Sequence, residues 1–293
     1  MSTNIPIISI CNLLGEDYSI QDLIVYDLKD FIIKHRDIKF PHRHSFYQVL
    51  YITKGSGTHI IDFEEYDVKT GMIYFLAPSQ VHEWKFGEDT NGILLNFNPN
   101  LFSSFLANSN YLSEFPFFTG NGLHSSLDVS TNKDQIEIES LLLKIKEEFA
   151  GCNECKLDFI KTLLLQVFIL VNRNIISTEN QSTNKSNYIV LRNFEKLIEQ
   201  HFTKLRMPKD YAQLLFVTPN HLNALCNQLT GKPAGDLIRN RILLEAKRLL
   251  VNSHQNINEI AWELNFQDNS YFSKFFKKYE GISPEEFRKN KQN

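Results

Sequence analysis

The sequence predicts an α+β chain in two parts: a β-rich half closed by a helical hairpin, then an all-α half. Three observations predict it. Between residues 46 and 97, short β-branched and aromatic stretches alternate with glycine turns, the pattern of an antiparallel sandwich or barrel. From about Lys133, apolar residues recur at helical spacing. Towards the C-terminus one helical pattern occurs twice, 49 residues apart, as a duplicated supersecondary unit would.

The elements follow in order. Phe46 to Thr53 reads as a strand, Gly55-Ser56-Gly57 as a turn, and Thr58 to Phe63 as the return strand. A turn at Lys69-Thr70-Gly71 leads to Met72–Leu76, and Gly92 leads to Ile93–Phe97. Ile136, Ile138, Leu141, Leu142, Ile145 and Phe149 then mark one helix, and Phe159, Leu163, Leu164, Val167, Phe168 and Val171 a second. The second is apolar on more than one face, which predicts burial against both the β-layer and another subunit. Residues 177–187 contain no apolar side chain and are rich in Ser, Thr and Asn, so they read as a linker. The expected division is therefore 1–176, linker 177–187, and 188–293.

The composition excludes several classes. The chain has 293 residues, 42% of them apolar, enough for about two domains with cores. No G-x-G-x-x-G or G-x-x-x-x-G-K-[ST] occurs, so the common nucleotide loops are unsupported. Cys11, Cys152, Cys155 and Cys226 are too scattered for a disulfide framework. The Cys152-x-x-Cys155 pair lacks the second pair a zinc site needs. No signal peptide is read. The greasy run Thr162–Val171 is about half a membrane span, so no membrane partner and a cytoplasmic location are expected. The net charge of −3 argues against nucleic acid only as a whole-chain sum. Residues 188–293 hold 16 Lys+Arg and 11 Asp+Glu, or +5, while 1–187 hold 15 and 23, or −8. A basic segment follows an acidic one.

The repeat aligns Tyr211-Ala212-x-x-Leu215-x-Val217 with Ile260-Ala261-x-x-Leu264-x-Phe266, then Leu222 and Leu225 with Phe272 and Phe275, and Gly231 with Gly281. Each copy reads helix, turn, helix, glycine stop: a helix-turn-helix unit, duplicated. In the first copy Thr218 is the expected N-cap, Pro219 the first helical residue and Gly231 the stop. Leu222, Leu225, Cys226 and Leu229 form the buried face. Asn220, His221, Asn223, Ala224, Asn227 and Gln228 lie opposite. Asn and Gln suit adenine, and Ala suits a thymine methyl. In the second copy Asp268 is the expected N-cap, with Phe272, Phe275, Phe276 and Tyr279 buried. Asn269, Ser270, Ser273 and Lys274 then address base edges, and Lys277 and Lys278 phosphates. A helix over Ala234–Asn252, about 28 Å long, joins the copies. Arg239, Arg241, Lys247 and Arg248 on it are expected to meet phosphates. Double-stranded DNA, read in the major groove, is the expected partner.

Residues 258–288 resemble the signature of AraC/XylS-type transcription regulators, through Ile260-Ala261-x-x-Leu264-x-Phe266, Phe272-x-x-x-Phe276-Lys277-Lys278 and Gly281-Ile282-Ser283-Pro284. The resemblance covers roughly 190–290. Asn265 stands where that family usually has Gly, Cys226-Asn227 where it often has Phe-Lys, and Ala224 where an Arg often reads bases. The resemblance implies a transcription regulator, an activator rather than an enzyme, with a small-molecule sensor domain, dimerisation and RNA polymerase as a further candidate partner.

His42, His44, Gln48 and Gly55 match the spacing of the first cupin motif, with Gln in the Glu position; Gly71, Pro78 and His82 resemble the second. The fold class is then a cupin-like β-barrel with a helical hairpin, followed by the double helix-turn-helix domain. By alternation His42, His44, Phe46, Gln48, Leu50 and Ile52 face the barrel interior. His82 and Trp84 share parity on another segment. His42, His44, Phe46, Gln48, Leu50, His82 and Trp84 make the candidate effector pocket. Packing alone and a metal site are the alternatives. Neutral Gln48 in place of a carboxylate argues against metal, so no metal, cofactor or catalytic residue is expected. The rival reading is a metal-dependent cupin enzyme fused to a helical domain.

Overall fold

The computed structural model describes residues 6–14, 22–35, 41–103, 105–106, 111–119, 124–130, 134–180, 185–253 and 255–292. The chain divides into two compact units between Thr178 and Glu179, inside the polar run read as a linker. That run is largely helical. Residues 177–180 continue one helix and 185–187 open the next, while 181–184 lie outside the described residues.

The first unit contains strands β1 (Ile7–Ile8), β2 (Leu23–Asp27), β3 (His42–His44), β4 (Tyr47–Lys54), β5 (Ser56–Ile61), β6 (Glu64–Lys69), β7 (Met72–Leu76), β8 (Val81–Phe86), β9 (Asn91–Phe97) and β10 (Ser126–Asp128). Helices α1 (Ile10–Leu14) and α2 (Leu28–Lys34) precede the main strands; α3 (Gln135–Ala150) and α4 (Lys156–Asn180) follow them. Two five-stranded sheets form, in the orders β1-β3-β8-β5-β6 and β10-β7-β4-β9-β2. The four strands read from β-branched runs are present. β6 and β8 are too polar to have been read, and they pair with β5 through main-chain bonds.

Alternation gives the second sheet two apolar faces. Val49, Tyr51, Ile73, Phe75, Leu95 and Phe97 pack against Ile138, Leu142 and Ile145 of α3 and Leu164, Val167 and Phe168 of α4. Phe46, Leu50, Ile52, Tyr74, Leu76 and Leu94 face the other way, with Ile61 and Val68 of the first sheet and Leu28 and Phe31 of α2. The stretch Lys156–Ile176 is apolar and long enough to cross a membrane by length and composition, beyond the ten-residue run the sequence suggested, and 50% of it is buried within the protein.

The second unit contains α5 (Lys185–His201), α6 (Pro208–Leu214), α7 (Pro219–Thr230), α8 (Ala234–Asn252), α9 (Ile257–Glu263), α10 (Asn269–Glu280) and α11 (Pro284–Gln292). The expected caps are in place. Thr218 Oγ1 accepts from His221 N at 3.2 Å, and Asp268 Oδ1 from Tyr271 N at 2.7 Å. Gly231 and Gly281 close α7 and α10 with φ of 68° and 86°, values that favour a residue without Cβ. Helix α8 touches every other helix of the unit. This central position explains why Ile238, Ile242, Ala246 and Leu250 are all fully enclosed.

Candidate effector and nucleic-acid sites

Strand pairing assembles the interior of the first unit. His42 lies opposite His82 across β3 and β8, and His59 opposite Trp84 across β5 and β8. Ser79 N donates to His44 O at 2.9 Å, which ties the β7–β8 turn to β3. Ser79 takes a left-handed φ of 72° there. At the base of the same turn Gln80 donates to Asp62, and Asp62 accepts from Val81 N. Gly57 is required where β5 meets β8, because a Cβ would stand 2.4 Å from Lys85 O.

The predicted residues share this interior. His42, His44, Phe46, Gln48, Leu50 and His82 are buried, and Trp84 is half-buried. His44 stacks on Phe46, with ring centroids 4.3 Å apart, and His42 lies 4.2 Å from His82. Sequence reasoning missed His59, which is fully buried at the centre of the group. Trp84 Nε1 donates to His59 Nε2 at 3.0 Å, and His82 Nδ1 lies 3.0 Å from the same atom. His59 shares parity with Ile61 on the strand read over Thr58–Phe63, and that alternation was the signal that could have found it. Burial, reinforced by the neighbouring imidazole His42, holds His44 and His82 well below the ordinary histidine range and His59 at about 3. All three are neutral at physiological pH.

Gln48 does not join the histidines. Its Nε2 donates to Asn96 Oδ1 at 2.9 Å across β4 and β9. Gln48 Oε1, Asn96 Nδ2 and His59 Nδ1 are buried with no hydrogen-bond partner among the described residues. The interior therefore holds an unmet acceptor and two unmet donors. Turning both amides exchanges their roles and leaves the same count.

In the second unit the two helix-turn-helix copies repeat atom for atom at the turn. Val217 N donates to Ala212 O at 3.0 Å, and Phe266 N to Ala261 O at 2.8 Å. Asn265 has φ 56°, as its place in the turn predicts, and Phe216 has φ 55° in the other copy. Leu222, Leu225 and Cys226 are buried under α7, and Phe272 and Phe276 under α10. Burial pushes the Cys226 thiol up to about 12, so it is an inert core group. Tyr279, expected in the core, is exposed.

The polar faces divide. Asn220, His221, Ala224 and Gln228 on α7, and Asn269, Ser270, Lys274, Lys277 and Lys278 on α10, are exposed. Ser273 is half-buried and donates to Asn269 Oδ1 at 3.1 Å. Asn223 turns inward instead, and its Oδ1 accepts from Ala234 N at 3.1 Å, capping α8. The basic residues of α8 also depart from expectation. Arg241 is bonded to Glu199 at 2.7 Å and Glu245 at 2.9 Å, with only 10% of its side chain exposed. Lys247 pairs with Glu280 and Arg248 with Glu245. Arg239 pairs with Asp236 and lies over Tyr279. Helix α8 is packed among six others, and in this structure its cations bond to neighbouring carboxylates.

Both parts of the chain match models of known domains. Residues 33–151 match an AraC-like ligand-binding domain and 211–290 a helix-turn-helix domain. The transcriptional activator RhaS of Escherichia fergusonii is 23% identical over 265 residues, covering 86% of this chain and 88% of that protein. RhaS of Mannheimia succiniciproducens is 27% identical, covering 85% and 89%. Among solved structures, ToxT of Vibrio cholerae aligns at a TM-score of 0.38 and 15% identity over 91% of this chain and 94% of its own. A ligand-binding domain of the AraC type thus precedes a double helix-turn-helix region, and the chain is an AraC-family transcription regulator.

Proposed function

We propose that the protein activates transcription from sites that α7 and α10 read in successive major grooves, in response to a small polar molecule bound inside the first unit. One observation carries the effector half: the buried, unmet Gln48 Oε1, Asn96 Nδ2 and His59 Nδ1 among apolar and aromatic walls. Buried polar groups without partners are costly, and a ligand bearing both hydroxyl or carbonyl acceptors and donors would satisfy them. The DNA half rests on the exposed α7 and α10 faces. Asn220, His221, Ala224 and Gln228 would read one groove. Asn269, Ser270, Ser273 and Lys274 would read the next, with Lys277 and Lys278 on phosphates.

Exposed Leu143, Leu157, Phe159 and Ile169 on α3 and α4 support a homodimer through the helical hairpin. RNA polymerase is the partner an activator requires, and the cytoplasm is where it meets DNA. The test uses duplexes selected by the full-length protein from a random-sequence library, with binding read by fluorescence anisotropy. Lys274→Ala should weaken binding and relax preference at one base pair. Lys277→Ala should weaken all sequences alike and reduce the salt slope by about one. Unchanged affinity in both variants would remove α10 from the groove.

A further inference from the structure

The turn between α3 and α4 carries two thiols that neither the sensor interior nor the DNA-reading faces use. Cys152 and Cys155 are free and exposed, whereas Cys226 is buried. Side-chain bonds fasten the turn on both flanks. Lys156 Nζ donates to Phe149 O at 2.7 Å and to Gly151 O at 2.9 Å, at the end of α3. Asn153 Nδ2 donates to Glu148 Oε2 at 3.0 Å. Helix α4 then runs back along α3, with Lys156 Nζ 5.2 Å from the Phe149 ring centroid and Lys144 Nζ 5.0 Å from that of Phe159. Cys155 takes a left-handed φ of 55°, uncommon for a residue with Cβ. Its carbonyl accepts from Phe159 N at 2.9 Å, which starts α4. The chain therefore reverses within the few residues that carry the two sulfurs.

We propose that Cys152 and Cys155 form a reversible intramolecular disulfide, so that the tip of the hairpin is a thiol–disulfide exchange site whose co-substrate is a low-molecular-weight disulfide. Closure needs Cα atoms about 4.4–6.8 Å apart, and the fastened reversal holds both cysteines on one short loop. Exchange runs through a mixed disulfide. One cysteine thiolate attacks the S–S bond of the small disulfide; a new S–S bond joins it to the protein, and one small thiol leaves. The second cysteine attacks the protein-side sulfur of that bond, closes the loop and releases the second small thiol. Two protein thiols lose two electrons, the small disulfide gains them, and the two thiol protons pass to the departing thiols. Exposure lets the co-substrate reach these sulfurs, while burial withdraws Cys226 from the same chemistry. Where thiols are kept reduced, disulfides of this kind are transient and redox-sensing rather than structural. The site lies beside the exposed apolar residues Leu157 and Phe159 of α4, and it gives the regulator an input separate from the interior of the first unit.

The test uses full-length protein, reduced and then equilibrated without air against bis(2-hydroxyethyl) disulfide and 2-mercaptoethanol in a series of ratios. Samples are quenched with acid, alkylated, digested and read by mass spectrometry. The expected product is one peptide carrying both Cys152 and Cys155, unalkylated and lighter by the two hydrogens lost, with Cys226 alkylated. Dithiothreitol should restore the dithiol. Cys152→Ser and Cys155→Ser should each stop at a mixed disulfide on the remaining thiol. Lys156→Met, which frees one flank of the loop, should shift the equilibrium towards the dithiol by about 3–10-fold. Mixed disulfides alone in wild type, a disulfide between chains on non-reducing gels, or thiols alkylated at every ratio would each overturn the proposal, and a Lys156→Met equilibrium equal to wild type would overturn the part given to the fastened loop. None of these measurements involves DNA or the interior effector, so their failure leaves the regulator reading standing.

Discussion

The Arg206 guanidinium lies 3.9 Å from the centroid of the Phe266 ring and donates to the carbonyls of Leu264 and Asn265. Arg206 precedes the first helix-turn-helix copy, and Phe266 follows the turn of the second. One planar side chain thus joins the entry of one copy to the turn of the other. Arg206→Ala should destabilise the second unit by about 1–3 kcal/mol, from the lost hydrogen bonds and ring contact. Arg206→Lys should recover less than half, because an ammonium cannot stack and bond two carbonyls together. Urea denaturation of the three proteins checks this, and full recovery by Lys would reduce the contact to simple charge.

Phe216 stands where the second copy has Asn265, in the same left-handed conformation. It is 97% exposed, so its ring contributes no core packing. A left-handed residue with Cβ is strained by about 1–2 kcal/mol, and glycine's extra unfolded freedom returns part of that. Phe216→Gly should therefore raise stability by about 0.5–1 kcal/mol, seen as a higher urea midpoint. A lower midpoint would mean that the ring is covered in solution.

Arg241 is enclosed with Glu199 and Glu245. Burial raises the Glu199 carboxyl above its ordinary range, and the adjacent guanidinium pulls it back. Arg241→Ala strands a buried carboxylate and should cost about 3 kcal/mol. The double variant Arg241→Met with Glu199→Met should cost much less. Salt dependence of DNA binding should stay as in wild type for the double variant; a shallower slope would return Arg241 to the phosphate contacts.

The buried histidines set a pH dependence of stability. His59 has a folded value of about 3, against roughly 6.5 when unfolded. The unfolded chain therefore binds the extra proton between those values, and stability falls as pH drops from about 6.5 towards 3. Above 6.5 the contribution is fully present. His44 and His82 shift in the same direction, each histidine contributing up to roughly 1.4 kcal/mol per pH unit. Urea midpoints at pH 7.5, 6.0 and 5.0 should decline steadily, and His59→Phe should flatten the decline. A midpoint that does not change with pH would mean that these rings are solvated.

What the sequence by itself determined is the local and periodic part. Alternation put Gln48, Leu50 and Ile52 on one face of β4, and the caps Thr218, Asp268, Gly231 and Gly281 bounded α7 and α10. These features depend on neighbours a few residues away, so spacing reveals them. Tertiary structure decided the partners. Whether Arg241 meets phosphate or Glu199, whether Asn223 meets a base or the Ala234 amide, and which imidazole meets Trp84 depend on elements far apart in the chain. A basic or polar residue at an outward helical position has the same pattern in either case. Only the helices and strands packed around it decide whether its partner is water, a carboxylate or a ligand.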